Sequence, residues 1–121
     1  MNAKDLLNEI FTISSRIDLI ECELEKIKET EKRFPTGDEF LKDDLEAILT
    51  ISLNGLKKYR QKLYLLIECV KDEKAKIVLE YRFIACLGFQ EISEKLYYSL
   101  RNVMRYYKKG LAEIDKILIN K

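Results

Sequence analysis

The sequence predicts an all-α protein: a long antiparallel, coiled-coil-like helical hairpin followed by a C-terminal three-helix unit of helix-turn-helix type. Three observations carry this. Four glycines and one proline in 121 residues are too few turn formers for an all-β fold. Leu, Ile, Glu and Lys, all frequent here, sit easily in helices. Apolar residues recur every three or four positions, the period of a helix with one buried stripe. A chain of this length makes one domain or two small units. The pattern changes character after residue 71, which divides a hairpin over 1–71 from a second unit over 72–121.

The first helix is expected from about Asn2 to Arg33, roughly 48 Å long. Leu6, Ile13, Ile20 and Ile27 form one heptad series, and Ile10, Ile17 and Leu24 the other, giving a narrow apolar seam. Phe34-Pro35-Thr36-Gly37 is the predicted turn, because Pro lacks an amide donor and Gly relaxes the backbone. Thr36 with Glu39 has the spacing of a capping box, and Asp38, Asp43 and Asp44 suit a positive helix N-terminus. The second helix carries Leu45, Leu49, Ser52, Leu56, Tyr59, Leu63, Leu66 and Val70 as its inner row. Asn54-Gly55 is a soft point within it, and the apolar register resumes in phase beyond. The seam of the first helix is satisfied either by the second helix of the same chain or by a homodimer formed through the hairpin.

Asp72 opens the next helix, which runs through Ile77, Val78, Leu79, Tyr81 and Phe83 and is expected to stop at a left-handed Gly88. A short helix over about Gln90 to Leu96 turns Ile92 and Leu96 inward. Ser99 then caps a last helix whose inner stripe is Val103, Tyr106, Gly110, Leu111 and Ile114. Two helices joined by a turn of three or four residues, the second one basic, form the layout of a helix-turn-helix reader.

Charge is unevenly spread. The net charge is +1, yet residues 1–50 carry 7 basic and 13 acidic side chains, and residues 51–121 carry 15 basic and 8 acidic. Between Lys95 and Ala112 there is no acidic residue, while Lys95, Arg101, Arg105, Lys108 and Lys109 are basic. Lys57, Lys58, Arg60 and Lys62 form a second basic cluster. A basic half suits a polyanion and an acidic half suits protein contacts, whereas the plainer account is a solvated helix face. For the Lys57–Lys62 cluster the solvated face is the preferred account, with phosphate contact or an acidic partner surface as the functional one.

Several function classes are disfavoured. The chain has no His, no Gly-rich phosphate loop and no metal-ligand spacing, so no enzyme, metal site or cofactor is expected. Cys22, Cys69 and Cys86 read as buried apolar thiols of a reducing compartment. The N-terminus lacks the apolar core of a signal peptide, and the longest uncharged stretch, Ala47 to Leu56, is half of what spans a bilayer. A cytoplasmic protein with no membrane partner is therefore expected.

The stretch Ile77-Val78-Leu79-Glu80-Tyr81-Arg82-Phe83-Ile84-Ala85-Cys86-Leu87-Gly88-Phe89-Gln90-Glu91-Ile92-Ser93-Glu94-Lys95-Leu96 resembles the start of a sigma-factor region-four helix-turn-helix. That pattern has a V-L-x-x-R-Y-like helix, an apolar turn, E-I-A-x-x-L, and a Ser-capped S-x-x-x-V-x-R helix followed by an A-L pair. Ser99, Val103, Arg105 and Gly110-Leu111 stand at those spacings. Ser93 replaces the usual Ala, and Tyr97 the common turn Gly. The likeness covers about 45 of the 121 residues, from Lys74 to Ile117. With the hairpin ahead of it, the layout is similar to small phage regulators of the ArpU-like, late-gene-activator type. The resemblance implies a DNA-binding transcriptional regulator, phage- or prophage-encoded, with duplex DNA as its partner. The hairpin is then expected to supply either dimerisation or contacts to RNA polymerase.

On the last helix, Arg101, Asn102 and Arg105 are the candidates for base contact, since Arg pairs with guanine and Asn with adenine. Lys95, Lys108 and Lys109 are candidates for phosphate, and Ser99 for capping with a phosphate contact through its hydroxyl. The alternatives are a helical module that binds RNA polymerase or another phage or host protein without reading DNA, and an RNA-associated helical protein.

Overall fold

The computed structural model describes residues 2–33 and 39–120. They form five α-helices: α1 (Ala3–Arg33), α2 (Glu39–Glu68), α3 (Glu73–Leu79), α4 (Phe89–Leu96) and α5 (Leu100–Ile119). A π-helical turn over Glu80–Ile84 extends α3. Among the described residues there is no strand, and the fold is all-α. None of these helices is long and apolar enough to cross a membrane. The expected turn at Phe34-Pro35-Thr36-Gly37, the Thr36–Glu39 capping box and Asp38 lie outside the described residues, as do the side chains of 30–42.

The chain divides into two compact units, Thr12–Arg60 and Met1–Phe11 with Gln61–Lys121. The sequence-based division at 71/72 therefore sits elsewhere, because both ends of the hairpin belong to the C-terminal unit. Leu7 and Ile10 from α1, and Leu63, Ile67 and Val70 from the end of α2, are all buried in that unit. The Phe11 and Phe83 rings lie 5.5 Å apart. Asp115 of α5 accepts the Ala3 amide at 2.6 Å, and Glu113 accepts the Lys71 amide at 3.1 Å. Two carboxylates of α5 thus satisfy backbone donors far away in sequence, one of them an orphan of the first turn of α1.

In the 12–60 unit the two helices run antiparallel. Arg60 donates to the Ser14 hydroxyl at 3.2 Å, and Lys57 pairs with Glu21 at 3.7 Å, so rising numbers on α1 meet falling numbers on α2. Ile13 and Ile17 are buried, and Ile20, Leu24 and Ile27 are half-buried, so the α1 seam faces inward as its spacing predicts. α2 is one helix through Asn54-Gly55, but its inner row differs from expectation. Leu53 is buried and Leu49, Leu56 and Arg60 are half-buried, whereas Leu45, Ser52 and Tyr59 are exposed. Apolar residues on two adjoining faces of α2 made both rows plausible.

The three cysteines are exposed, contrary to the buried thiols expected. Cys22 sits between Glu21 and Glu23 on the outer face of α1, Cys69 lies just past α2, and Cys86 lies in a connecting turn.

Candidate nucleic-acid interface

Each element of the C-terminal unit starts and stops for a local reason. The Asp72 carboxylate accepts from the Lys74 and Ala75 amides at 3.0 and 3.1 Å and caps α3. After the π turn, Cys86 takes a left-handed φ of 59°. This corrects the expectation for Gly88, whose φ of −73° and ψ of 162° make it the residue that opens α4. The Glu91 carboxylate reaches back to accept the Gly88 amide at 3.3 Å. α4 ends on Tyr97, which holds φ 57° and ψ 34° with its amide on the Ser93 carbonyl. Tyr97 therefore adopts the conformation for which the resembling pattern uses Gly.

The Ser93 hydroxyl donates to the Tyr98 carbonyl at 2.6 Å, and the Tyr98 amide donates to the Ser93 carbonyl at 3.3 Å. A serine in place of the pattern's Ala thus stitches the turn shut. Ser99 then accepts the Asn102 amide at 3.2 Å and caps α5, as its position predicts. The result is α4, a three-residue turn over 97–99, and α5.

α5 has one buried side: Val103, Tyr107, Gly110, Leu111 and Ile114. Tyr107, not the expected Tyr106, is the core tyrosine. Its ring meets Phe89 edge-on at 4.9 Å and stacks on Phe83 at 6.2 Å, and burial pushes its phenol pKa up. Tyr106 is half-buried and packs against Tyr98 at 5.7 Å.

On the other side, Arg101, Arg105 and Lys108 are exposed at the i, i+4, i+7 positions of one face. With Asn102 and Met104 they line a shallow surface depression. Over the about 10 Å between the first and last of these cations, α5 presents no carboxylate. Arg105 is steadied by its neighbour: its Nη2 lies 3.4 Å from the Tyr106 hydroxyl, and its guanidinium 5.1 Å from the Tyr106 ring centre.

The remaining predicted residues separate from this group. Lys109 pairs with Asp72 at 2.6 Å, joining α5 to the cap of α3. That hydrogen bond raises the Lys109 pKa and lowers that of Asp72, whose ionised form the Ala75 and Lys74 amides also favour. Lys109 is thus occupied within the fold, unlike Lys108 beside it. Lys95 is exposed in the last turn of α4, and Ser99 is exposed with its oxygen occupied as a cap. Asn102 is half-buried.

Two residues not singled out from the sequence belong to the frame. Lys74 of α3 places its ammonium 5.9 Å from the Tyr106 ring. The Arg82 guanidinium lies between Phe89, at 4.5 Å, and Phe11, at 5.2 Å, and donates to the Leu87 carbonyl at 3.1 Å. The V-L-x-x-R pattern held a signal for Arg82, but its ring partners lie in other helices. No group of three or more potential metal ligands comes together among the described residues. No family model, curated protein or solved structure matches the chain.

Proposed function

We propose that the chain is a DNA-binding transcriptional regulator of the small phage or prophage type, reading duplex DNA through the 99–112 segment. The observation that carries this is the α4–turn–α5 frame, with Arg101, Arg105 and Lys108 exposed in one row and no acidic residue among them. In helix-turn-helix docking the first turns of the second helix reach base edges. Arg101 and Arg105 are the base readers and Asn102 assists them, while Lys108 and Lys95 contact phosphate. Ser99 positions α5 as its cap, and Lys109 acts through Asp72 on the frame. The chain acts without a cofactor or catalytic step, in the cytoplasm. RNA polymerase is the natural protein partner of such a regulator.

Fluorescence anisotropy with random-sequence duplex DNA at low salt tests this. Binding is expected to weaken linearly on a log-log salt scale, because neutralised phosphates release counterions. Arg101→Ala with Arg105→Ala is expected to lose at least about tenfold in affinity. A protein that ignores duplex DNA at low salt overturns the proposal.

A second reading rests on exposed apolar groups near the start of α5. Tyr97 is 95% exposed and Leu100 45%, which suits docking on a protein surface such as RNA polymerase. Stable capture of polymerase without any duplex DNA affinity would favour it.

A further inference from the structure

The 12–60 unit, which contributes none of the proposed DNA contacts, carries an apolar flank of its own. On α2, Ile48 is 60% exposed and Ile51 72%, and Leu19 of α1 is 64% exposed. Next to them runs a groove lined by Leu19, Ile20, Ser52, Gly55 and Leu56, with the charged side chains of Arg16 and Glu23 on its α1 side. Its floor is open at Gly55, where an added Cβ would meet no atom within 4 Å.

The charges around this flank are ordered along the helix. Asp43, Asp44 and Glu46 precede it, residues 47–56 are uncharged, and Lys57, Lys58, Arg60 and Lys62 follow. The helix dipole accounts for charges only in the first and last turns, and α2 continues to Glu68 beyond this basic run. Nor are all the cations used within the hairpin in the same way. Lys57 pairs with Glu21 and Arg60 with Ser14, on the side facing α1. Lys58, about 100° round the helix from Lys57, is exposed on the side of Ile51 and Asp44.

An acidic end, an apolar centre and a basic end form a pattern complementary to its own reverse. A helix so marked pairs with a second copy in the antiparallel sense, and twofold symmetry repeats every contact. We propose that this flank of α2 pairs with itself in a second copy of the chain, antiparallel and centred near Ile51, with Asp44 of each copy opposite Lys58 of the other. In that register Ile51 meets its symmetry mate, and Ile48 of one copy falls over the Gly55 groove of the other. The missing side chain at Gly55 is then a hole for an apolar knob. The reverse sense, parallel pairing, sets Asp44 against Asp44 and Lys58 against Lys58.

Light scattering of the full chain across concentrations tests this without any DNA. A dimer is expected, with Ile51→Glu shifting it to monomer while helical circular dichroism is retained. Asp44→Lys alone and Lys58→Asp alone are each expected to weaken association at least about tenfold through two like-charge contacts per dimer. The double variant Asp44→Lys with Lys58→Asp is expected to return to within about threefold of the original, because attraction is restored with reversed signs. This rescue keeps the register testable even where Ile51→Glu disturbs the fold. A chain that stays monomeric to about 100 µM, a dimer indifferent to Ile51→Glu, or single reversals that the double variant does not rescue would each overturn the proposal.

Discussion

Gly110 of α5 passes so close to Leu79 of α3 that a Cβ added at Gly110 would stand 2.6 Å from the Leu79 Cδ1 and 3.1 Å from its Cγ. Gly in a helix interior is disfavoured by about 1 kcal/mol relative to Ala, so this glycine exists for the close approach. Gly110→Ala gains that propensity but overpacks a contact between fully buried groups, at a cost of about 1–3 kcal/mol. Net destabilisation of about 1 kcal/mol is expected by urea unfolding. Gly55→Ala is the control, with open space around its Cβ. Measured in the Ile51→Glu background, where pairing between copies is removed, it is expected to stabilise by about 1 kcal/mol.

The turn ahead of α5 is held by a hydroxyl and strained by a tyrosine. Tyr97 keeps a left-handed φ of 57° although it is 95% exposed, so no burial of its ring compensates locally. Such a residue costs about 1–2 kcal/mol that Gly avoids. Tyr97→Gly is therefore expected to raise the unfolding midpoint. Ser93→Ala, which matches the resembling pattern, removes the bond to the Tyr98 carbonyl and is expected to lose about 1 kcal/mol. Anisotropy on the same variants separates roles: a Tyr97→Gly protein that is more stable but binds DNA less tightly places the ring at the nucleic acid.

What could be read from the sequence was whatever depended on local periodicity. The seam from Ile13 to Ile27, the Ser99 cap and the burial of Ile92, Val103 and Ile114 all follow from spacing within one helix. Legibility failed where neighbours competed or partners lay far off. On α2, Ile48, Leu49, Ile51 and Leu53 populate two adjoining faces, and only packing chose between Ser52 and Leu53. Tyr106 and Tyr107 are identical neighbours, and the Phe83 and Phe89 rings selected the second. Lys109 looked like Lys108 because Asp72, its partner, stands in another helix. Gly88 suggested a helix stop, yet the left-handed turn falls two residues earlier at Cys86.

The Asp72–Lys109 pair sets a pH dependence with a definite sign. Lys109 first, then the Ala75 and Lys74 amides, favour the carboxylate and hold its pKa below the ordinary 3.8. A group whose folded pKa is depressed contributes stability that is complete above its unfolded pKa and is lost as pH falls through the folded one. Asp72→Asn keeps a capping oxygen but removes the negative charge that pairs with the Lys109 ammonium. The wild-type protein is expected to be more stable than this variant at pH 6. The gap should shrink below pH 3.8 and close once the carboxyl is protonated, as followed by urea unfolding at successive pH values.

Arg82 joins three parts of the C-terminal unit through one planar group. Its guanidinium faces the Phe89 ring at 4.5 Å and the Phe11 ring at 5.2 Å, while Nη1 donates to the Leu87 carbonyl at 3.1 Å. Its Nε is buried without a partner, so one hydrogen bond and two ring contacts compensate for its desolvation. A cation over a desolvated ring contributes up to about 2 kcal/mol, and a hydrogen bond from a charged group about 1.5–3 kcal/mol. Arg82→Ala is accordingly expected to lose about 2–4 kcal/mol. Arg82→Lys keeps the charge but has no plane to lie against the rings and no fork to reach Leu87 in the same pose. It is expected to recover less than half of that loss, whereas a purely Coulombic role would let Lys recover most of it. Thermal unfolding of the two variants, at low and high salt, decides between them.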